Sequence, residues 1–331
     1  MKKIERKLAH IDICLKSNIE YNKRTGLENV EIINQAACPI SLSEVNLCTT
    51  FLGKKLNVPL MIAPMTYGTN KSDELNILFA SAAEHFNIML GIGSQRIVLE
   101  NSLSVNNLKI RKYAPNALIF SNLGVGQISH KIDLDMINRA IDMIKADGLM
   151  IHFNAIQEAC QTKGDVDYRM LFKNLAYLCN YYSRHNFPIF AREICFGFST
   201  DAARRLIDLG ISGLDCAGAG GTSWAKVEAL CAKTERQRNL ALKFAEWGIP
   251  TAQSILNVRH ISKTIPLIAT GGIRTGQDIL KSLKLGADIA AMARPMLLKA
   301  VCGQDVLYEF IEDLINELRI ALFASGQITI N

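Results

Sequence analysis

The sequence predicts an α/β fold, a (β/α)8 TIM barrel with an N-terminal extension and a long loop after the sixth strand. Three observations carry this. Short apolar runs recur along most of the chain, stretches with helical period separate them, and polar residues gather at the carboxyl ends of nearly all the runs. Short, almost continuous apolar runs suit parallel strands buried on both faces. Polar residues at every strand end suit a barrel mouth, whereas a doubly wound sheet would collect them at one switch point.

The runs are Leu60–Ala63, Ile88–Ile92, Leu118–Ser121, Leu149–Phe153, Pro188–Ala191, Gly213–Cys216, Pro266–Ala269 and Ile289–Ala293. Between the third and fourth, Asp133 is placed to cap a helix carrying Met136, Ile137, Ala140, Ile141 and Ile144 on one stripe. After the fifth, Ser199-Thr200 precedes Ala202, Ala203, Leu206 and Ile207, and Gly210 stops the helix. Residues 1–57 form an extension capping the barrel, which spans 58–331. Gly218–Gly248 is long for a βα loop and predicts a helix over 225–232 that covers the site. Asp305–Leu322 carries Val306, Phe310, Ile311, Leu314, Leu318 and Leu322 as the closing outer helix.

Composition excludes several classes. Of 331 residues, 49% are apolar and 21% charged, as in a soluble globular chain with an ample core. Net charge is +6, with no basic stripe of the kind that tracks nucleic acid. The nine cysteines include no C-x-x-C pair, so neither a zinc ribbon nor a disulfide framework is expected. The charged start, Met1 to Lys7, leads into no apolar segment, and no run approaches the ~18 residues of a membrane span. The expectation is a cytoplasmic, soluble enzyme.

Glycines punctuate the later strand ends. Thr270-Gly271-Gly272-Ile273-Arg274 follows the seventh run and Ala293-Arg294-Pro295 the eighth, where barrels often cradle a phosphate with backbone N–H groups. Ala217-Gly218-Ala219-Gly220-Gly221-Thr222-Ser223-Trp224 follows Asp215 and lets backbone lie against a ligand that Trp224 shields. The fourth run ends in His152, Asn154, Gln157 and Glu158. Period two puts His152 and Asn154 on one face and Ile151 and Phe153 on the other. Polar groups at this density are costly to bury without partners, so a functional role outweighs a structural one. Thr66, Ser94-Gln95-Arg96, Asn122 and Arg192-Glu193 complete the mouth. Among Glu158, Glu193 and Asp215 one carboxylate suits a hard cation such as Mg2+.

In order and spacing these motifs resemble the type 2 isopentenyl-diphosphate isomerase family. The likeness runs nearly the whole chain, from Arg6-Lys7-x-x-His10 through Ala63-Pro64-Met65-Thr66, Gly93-Ser94-Gln95-Arg96, Asn122-Leu123-Gly124 and His152-x-Asn154-x-x-Gln157-Glu158. It continues through Gly164-Asp165, Asp215 to Trp224, Trp247-Gly248-Ile249-Pro250-Thr251 and Gly271-Gly272-Ile273-Arg274.

The resemblance implies FMN as cofactor, with Thr66, Ser94 and Asn122 at its ring and Thr222, Gly272, Arg274 and Ala293 at its ribityl phosphate end. It implies a diphosphate substrate bound by Arg96, His152, Asn154 and Gln157, with Arg6, Lys7 and His10 on the diphosphate from the same or a neighbouring subunit. Glu158 is the implied Mg2+ ligand, Gln157 and His152 the catalytic pair, NADPH the reductant, and a homo-oligomer (tetramer or octamer) the assembly.

Three departures stand out. Arg192 replaces the family's usual Lys near the flavin, keeping the charge in a bulkier fork that does not lose its proton. Tyr67-Gly68 replaces Gly-Gly, which predicts a phenol beside flavin or substrate. Ile194-Cys195 replaces Val-Gly. They leave open an FMN-dependent oxidoreductase or isomerase acting on another, specialised metabolite. The hydroxy-acid oxidases carry a His-Gly-x-Arg run where this chain has Ala217-Gly218-Ala219-Gly220, which argues against that subclass.

Overall fold

A computed structural model describes residues 3–100, 109–161 and 164–330. Residues 1–2 of the expected extension, and residue 331 at the far end, lie outside them.

The eight runs fold into eight strands, one for each. With a hairpin of β1 (Thr49–Phe51) and β2 (Lys54–Leu56) before them, they are β3 (Leu60–Ile62), β4 (Met89–Gly91), β5 (Ile119–Gly124), β6 (Gly148–Phe153), β7 (Ile189–Glu193), β8 (Gly213–Asp215), β9 (Leu267–Thr270) and β10 (Ile289–Met292). Neighbours pair in parallel, and β10 pairs with β3 to close the barrel.

The helices in chain order are α1 (Lys3–Lys16), α2 (Asn70–Phe86), α3 (Arg96–Glu100), α4 (Ile110–Tyr113), α5 (Leu134–Ile144), α6 (Ala155–Ala159) and α7 (Leu171–Ser183). After them come α8 (Thr200–Asp208), α9 (Trp224–Cys231), α10 (Glu235–Leu242), α11 (Thr251–Ile261), α12 (Gly276–Lys284), α13 (Arg294–Ala300) and α14 (Gln304–Ala324). The expected caps are in place. Asp133 accepts from the Met136 N–H at 2.9 Å and Ser199 from that of Ala202 at 3.2 Å.

Alternation along the strands sorts the core into two shells. Met61, Met89, Phe120, Met150, Phe190 and Ile268 pack inside the barrel, while Ile62, Leu90, Ile119, Ile151, Ala191 and Leu267 pack outward under the helices. The β1–β2 hairpin, which periodicity did not flag, turns through Leu52 and Gly53, both at positive φ. Its Phe51 and Leu56 join the inner shell, and Phe51 meets Phe190 at a ring distance of 6.0 Å. Side chains therefore fill the interior at the strands' starting ends, leaving the carboxyl ends for the site.

α14 buries Leu307, Ile311, Leu314, Leu318 and Leu322. Its stripe begins at Leu307 rather than the expected Val306, because Leu307 stands four residues before Ile311 and so on the same face. The loop after β8 carries two helices, α9 and α10, where one was expected.

Candidate active site

A cavity of about 540 Å3 opens at the carboxyl ends of the strands. Thr66, Ser94, Asn122, His152, Asn154, Gln157, Glu158 and Arg192 line it, as do Thr222, Gly272, Arg274 and Ala293. Arg6, Lys7 and His10 of α1, with Arg96 of α3, complete the lining. The expected site residues are thus gathered in one space, and α1 of the same chain reaches it.

Sheet register fixes the floor. His152 on β6 stands beside Gly124 of β5 and Arg192 of β7, and Arg192 in turn stands beside Asp215 of β8. Arg192 and Asp215 form a buried ion pair. Asp215 also accepts from Thr270 Oγ1 at 2.7 Å. His152 Nδ1 lies 2.6 Å from Asn122 Oδ1, an acceptor, so that nitrogen carries the ring proton. Burial, with the charges of Arg192, Lys7 and Arg96, pushes the His152 pKa down to about 3. The imidazole is neutral.

At the rim, α6 turns its polar side chains inward. Asn154 Nδ2 donates to Gln157 Oε1 at 3.0 Å and to Glu158 Oε1 at 2.8 Å, and the Asp165 N–H reaches Glu158 Oε2 at 2.9 Å. Arg96 pairs with Asp165 at 2.5 Å and with Glu100 at 2.8 Å.

Behind Gln157 stands Glu228 of α9, a residue sequence reasoning missed. Gln157 Nε2 donates to Glu228 Oε1 at 2.9 Å and Gln161 Nε2 does so at 3.1 Å. Arg6 pairs with its other oxygen, and His10 Nε2 stands 3.5 Å from Oε1. Burial opposes ionisation of Glu228, but His10, Arg6 and Gln157 hold its pKa below the usual carboxylate value. The available signal was its spacing, four residues after Trp224 and so on the same helical face.

Lys7 Nζ donates to the carbonyls of Tyr67 and Ser94 at 2.5 and 2.6 Å. Burial and the Arg96 charge lower its pKa to about 7. Glu20, a second residue the sequence did not single out, bridges the two arginines of the glycine end. Arg274 Nη2 and Arg294 Nη1 each reach it at 2.8 Å. Both guanidiniums therefore already hold a carboxylate.

One expectation needs correction, and the three candidate carboxylates narrow to one. Tyr67 is fully buried away from the cavity, its hydroxyl 3.6 Å from Met143 Sδ under α5. The chain has left strand geometry by then, so only the Tyr67 carbonyl faces Lys7. Glu193 does not line the cavity, and one of its oxygens accepts the N–H groups of Ile194, Cys195 and Phe196 at 2.7, 2.8 and 2.5 Å. Burial raises its pKa to about 7. Asp215 is consumed by Arg192. Of the three candidate carboxylates, Glu158 alone lines the cavity.

A flavin mononucleotide fits these residues. Thr66 Oγ1 is a buried polar atom without a partner in the lining, a group that a polar ring edge would satisfy. At the other end a Cβ on Gly221 would fall 2.5 Å from the Gly272 nitrogen, and one on Gly272, at φ +71°, 2.5 Å from the Gly220 carbonyl oxygen. Bare backbone thus forms that wall, as a phosphate cradle requires.

Comparison with known proteins agrees with this geometry. The family model described as FMN-dependent dehydrogenase matches residues 8–115 and 161–331. A Nostoc sp. protein named isopentenyl-diphosphate delta-isomerase is 42% identical over 98% of this chain and 93% of its own length. One of the same name from Methanocaldococcus jannaschii is 39% identical over 97% of this chain and 90% of its own.

The chain belongs to the isopentenyl-diphosphate delta-isomerase family.

It shares its barrel with more distant flavoproteins. A mandelate oxidase bound to (S)-4-hydroxymandelic acid superposes with a TM-score of 0.64 at 17% identity, over 98% of this chain and 95% of the oxidase. A flavocytochrome b2 variant with benzoylformate gives 0.68 at 15%, over 98% and 80%. At such identities the likeness is one of fold.

Proposed function

We propose that the chain interconverts isopentenyl and dimethylallyl diphosphate by a 1,3-proton transfer, with FMN and Mg2+ bound and NADPH serving to reduce the flavin. The observation that carries this reading is the oriented Asn154–Gln157–Glu228 chain beneath the cations of α1.

Thr66, Ser94, Asn122 and Arg192 would hold the ring of FMN, and Thr222, Gly272, Arg274 and Ala293 its phosphate end. When bound and reduced, the flavin supplies an electron-rich ring against which positive charge on the alkene is stabilised, and a proton that can be exchanged. Arg6, Lys7, His10 and Arg96 bind the diphosphate, so binding energy far from the reacting carbons orients them. Glu158 lines the cavity with one oxygen accepting from Asn154 Nδ2 and the other from the Asp165 N–H, and its carboxylate is the hard oxygen ligand that Mg2+ would share with a diphosphate. His152, neutral, orients by hydrogen bonding and does not act as the acid.

Gln157 is held in one orientation, Oε1 accepting from Asn154 and Nε2 donating to Glu228. A proton leaving the allylic carbon arrives at Gln157 Oε1 as Nε2 passes one to Glu228. The proton returns from Glu228 through Gln157 to the group that gave one to the terminal alkene carbon, which restores amide, carboxylate and donor; one proton is added and one removed, so no net redox change occurs. Glu228 does not itself line the cavity and acts through Gln157.

Leu240, Leu242 and Trp247, exposed on and just beyond α10, support a homo-oligomer, which light scattering on the purified protein checks. The nine free cysteines suit the reducing cytoplasm. Among the described residues no helix is long and apolar enough to cross a membrane.

The test is to reconstitute purified protein with FMN, reduce it, add Mg2+ and assay isopentenyl diphosphate. Conversion to dimethylallyl diphosphate supports the reading, and none, while a known isomerase succeeds alongside, refutes it. Arg192 in place of Lys keeps the second reading, an FMN oxidoreductase on another substrate. Substrate-dependent flavin reduction without added reductant would favour that one.

A further inference from the structure

Three side chains of different chemistry converge beside the proton path. His10 on α1, with Glu228 and Cys231 on α9, offer ligand atoms that all lie within 4.8 Å of one another. Helical spacing explains the convergence. Glu228 and Cys231 stand three residues apart on one face of α9, and that face packs on α1. His10 Nε2 is buried without a hydrogen-bond partner, although Glu228 Oε1 is 3.5 Å away. The His10 ring is held edge-on to Trp224 at 5.2 Å, which limits its swing.

We propose that His10, Glu228 and Cys231 form a binding site for a thiophilic divalent cation such as Zn2+, with a fourth position open to water. An imidazole, a carboxylate and a thiolate are the borderline-soft set that Zn2+ takes in tetrahedral geometry. Mg2+, which demands oxygen, prefers Glu158. Charge balances, since the carboxylate and the thiolate formed on binding offset the dication and the Cys231 proton leaves to solvent. Arg6 is the opposing charge. It pairs with Glu228 Oε2, leaving Oε1 to face His10, Gln157 and Gln161.

Occupation draws Glu228 Oε1 away from Gln157 and takes His10 from the diphosphate, so the cation inhibits turnover. That consequence rests on the proton path and the diphosphate contact proposed above, whereas binding itself does not.

Two measurements on the FMN-loaded protein test the site. In the first, Co2+ is titrated anaerobically and read by the d–d bands of tetrahedral cobalt, to the red of flavin absorption. The wild type should develop them. Cys231→Ser should weaken cobalt affinity by at least about 100-fold, since disturbing even an outer-shell partner costs 10–100-fold. Cys302→Ser, at an exposed distant thiol, should leave it unchanged. The second uses the wild type alone. Zn2+ should protect Cys231 from iodoacetamide, read by peptide mass spectrometry, in the presence of excess Mg2+. Bands that persist in Cys231→Ser, or a Cys231 alkylated equally with and without Zn2+, would overturn the site. If Zn2+ binds yet leaves isomerase activity unchanged, the site stands, and Glu228 is removed from the proton path and His10 from the diphosphate.

Discussion

Gln157 and Glu228, 71 residues apart, share a 2.9 Å hydrogen bond in which the amide Nε2 donates to the carboxylate Oε1. The bond ties the first turn after β6 to the helix that follows β8. It fixes which end of the amide meets the cavity. A buried carboxylate with Arg6, His10, Gln157 and Gln161 around it is a shaped environment, not a solvated surface charge.

Replacing Glu228 by Gln removes the proton acceptor while keeping the shape. General acid–base groups contribute roughly 10²–10⁴-fold, and kcat should fall by that order with FMN affinity unchanged. The pH profile separates a proton path from mere packing. Wild-type kcat should fall as Glu228 protonates, below the ordinary carboxylate value, and the Gln variant should lack that limb.

Lys7 carries a pKa of about 7 in the free protein. At pH 8 it is mostly neutral, and a bound diphosphate favours its ammonium form. Binding at pH 8 should therefore take up a proton, and KM should rise as pH climbs above about 7. Calorimetry in buffers of different ionisation enthalpy reads the uptake directly, and Lys7→Met should abolish it.

Arg192 and Asp215 are buried together, so removing one partner strands the other. Arg192→Met should destabilise the fold by about 3–5 kcal/mol, and pairing it with Asp215→Leu should recover much of the loss. Chemical denaturation measures both. Arg192→Lys asks a separate question, since a rise in isomerase activity would mean that Arg has adapted the site to another substrate.

Gly272 sits at φ +71° against the Gly220 carbonyl. Strain of about 1–3 kcal/mol at such a position is relieved when the free loop moves off the cradle, which predicts up to roughly 5- to 150-fold weaker FMN binding in Gly272→Ala, read by quenching of flavin fluorescence. Riboflavin, which lacks the phosphate, should lose less.

Glu158→Gln should weaken the activation by Mg2+ and leave FMN bound. An unchanged Mg2+ response would remove Glu158 as the ligand. A flavin lost with it would mean that the residue shapes the pocket instead.

The barrel was legible because parallel strands buried on both faces read as short apolar runs, and because strand-end residues such as His152, Asn122 and Arg192 project where period two puts them. Tyr67 was misread because the backbone leaves strand geometry after Ile62, so alternation no longer says where a side chain points. Glu228 was missed because partnership with Gln157 is a tertiary contact that neither segment announces. On its helix Glu228 looks like any polar residue. Glu20 escaped for the same reason, lying in an irregular stretch whose meaning comes from Arg274 and Arg294 folding against it.

The most direct measurement runs the reaction in deuterium oxide with reduced, FMN- and Mg2+-loaded protein and follows both substrate and flavin spectrum. The account predicts dimethylallyl diphosphate with solvent deuterium in the newly formed methyl group, and a flavin as reduced at the end as at the start. Product without solvent deuterium, or a flavin whose oxidation state tracks turnover, would contradict it.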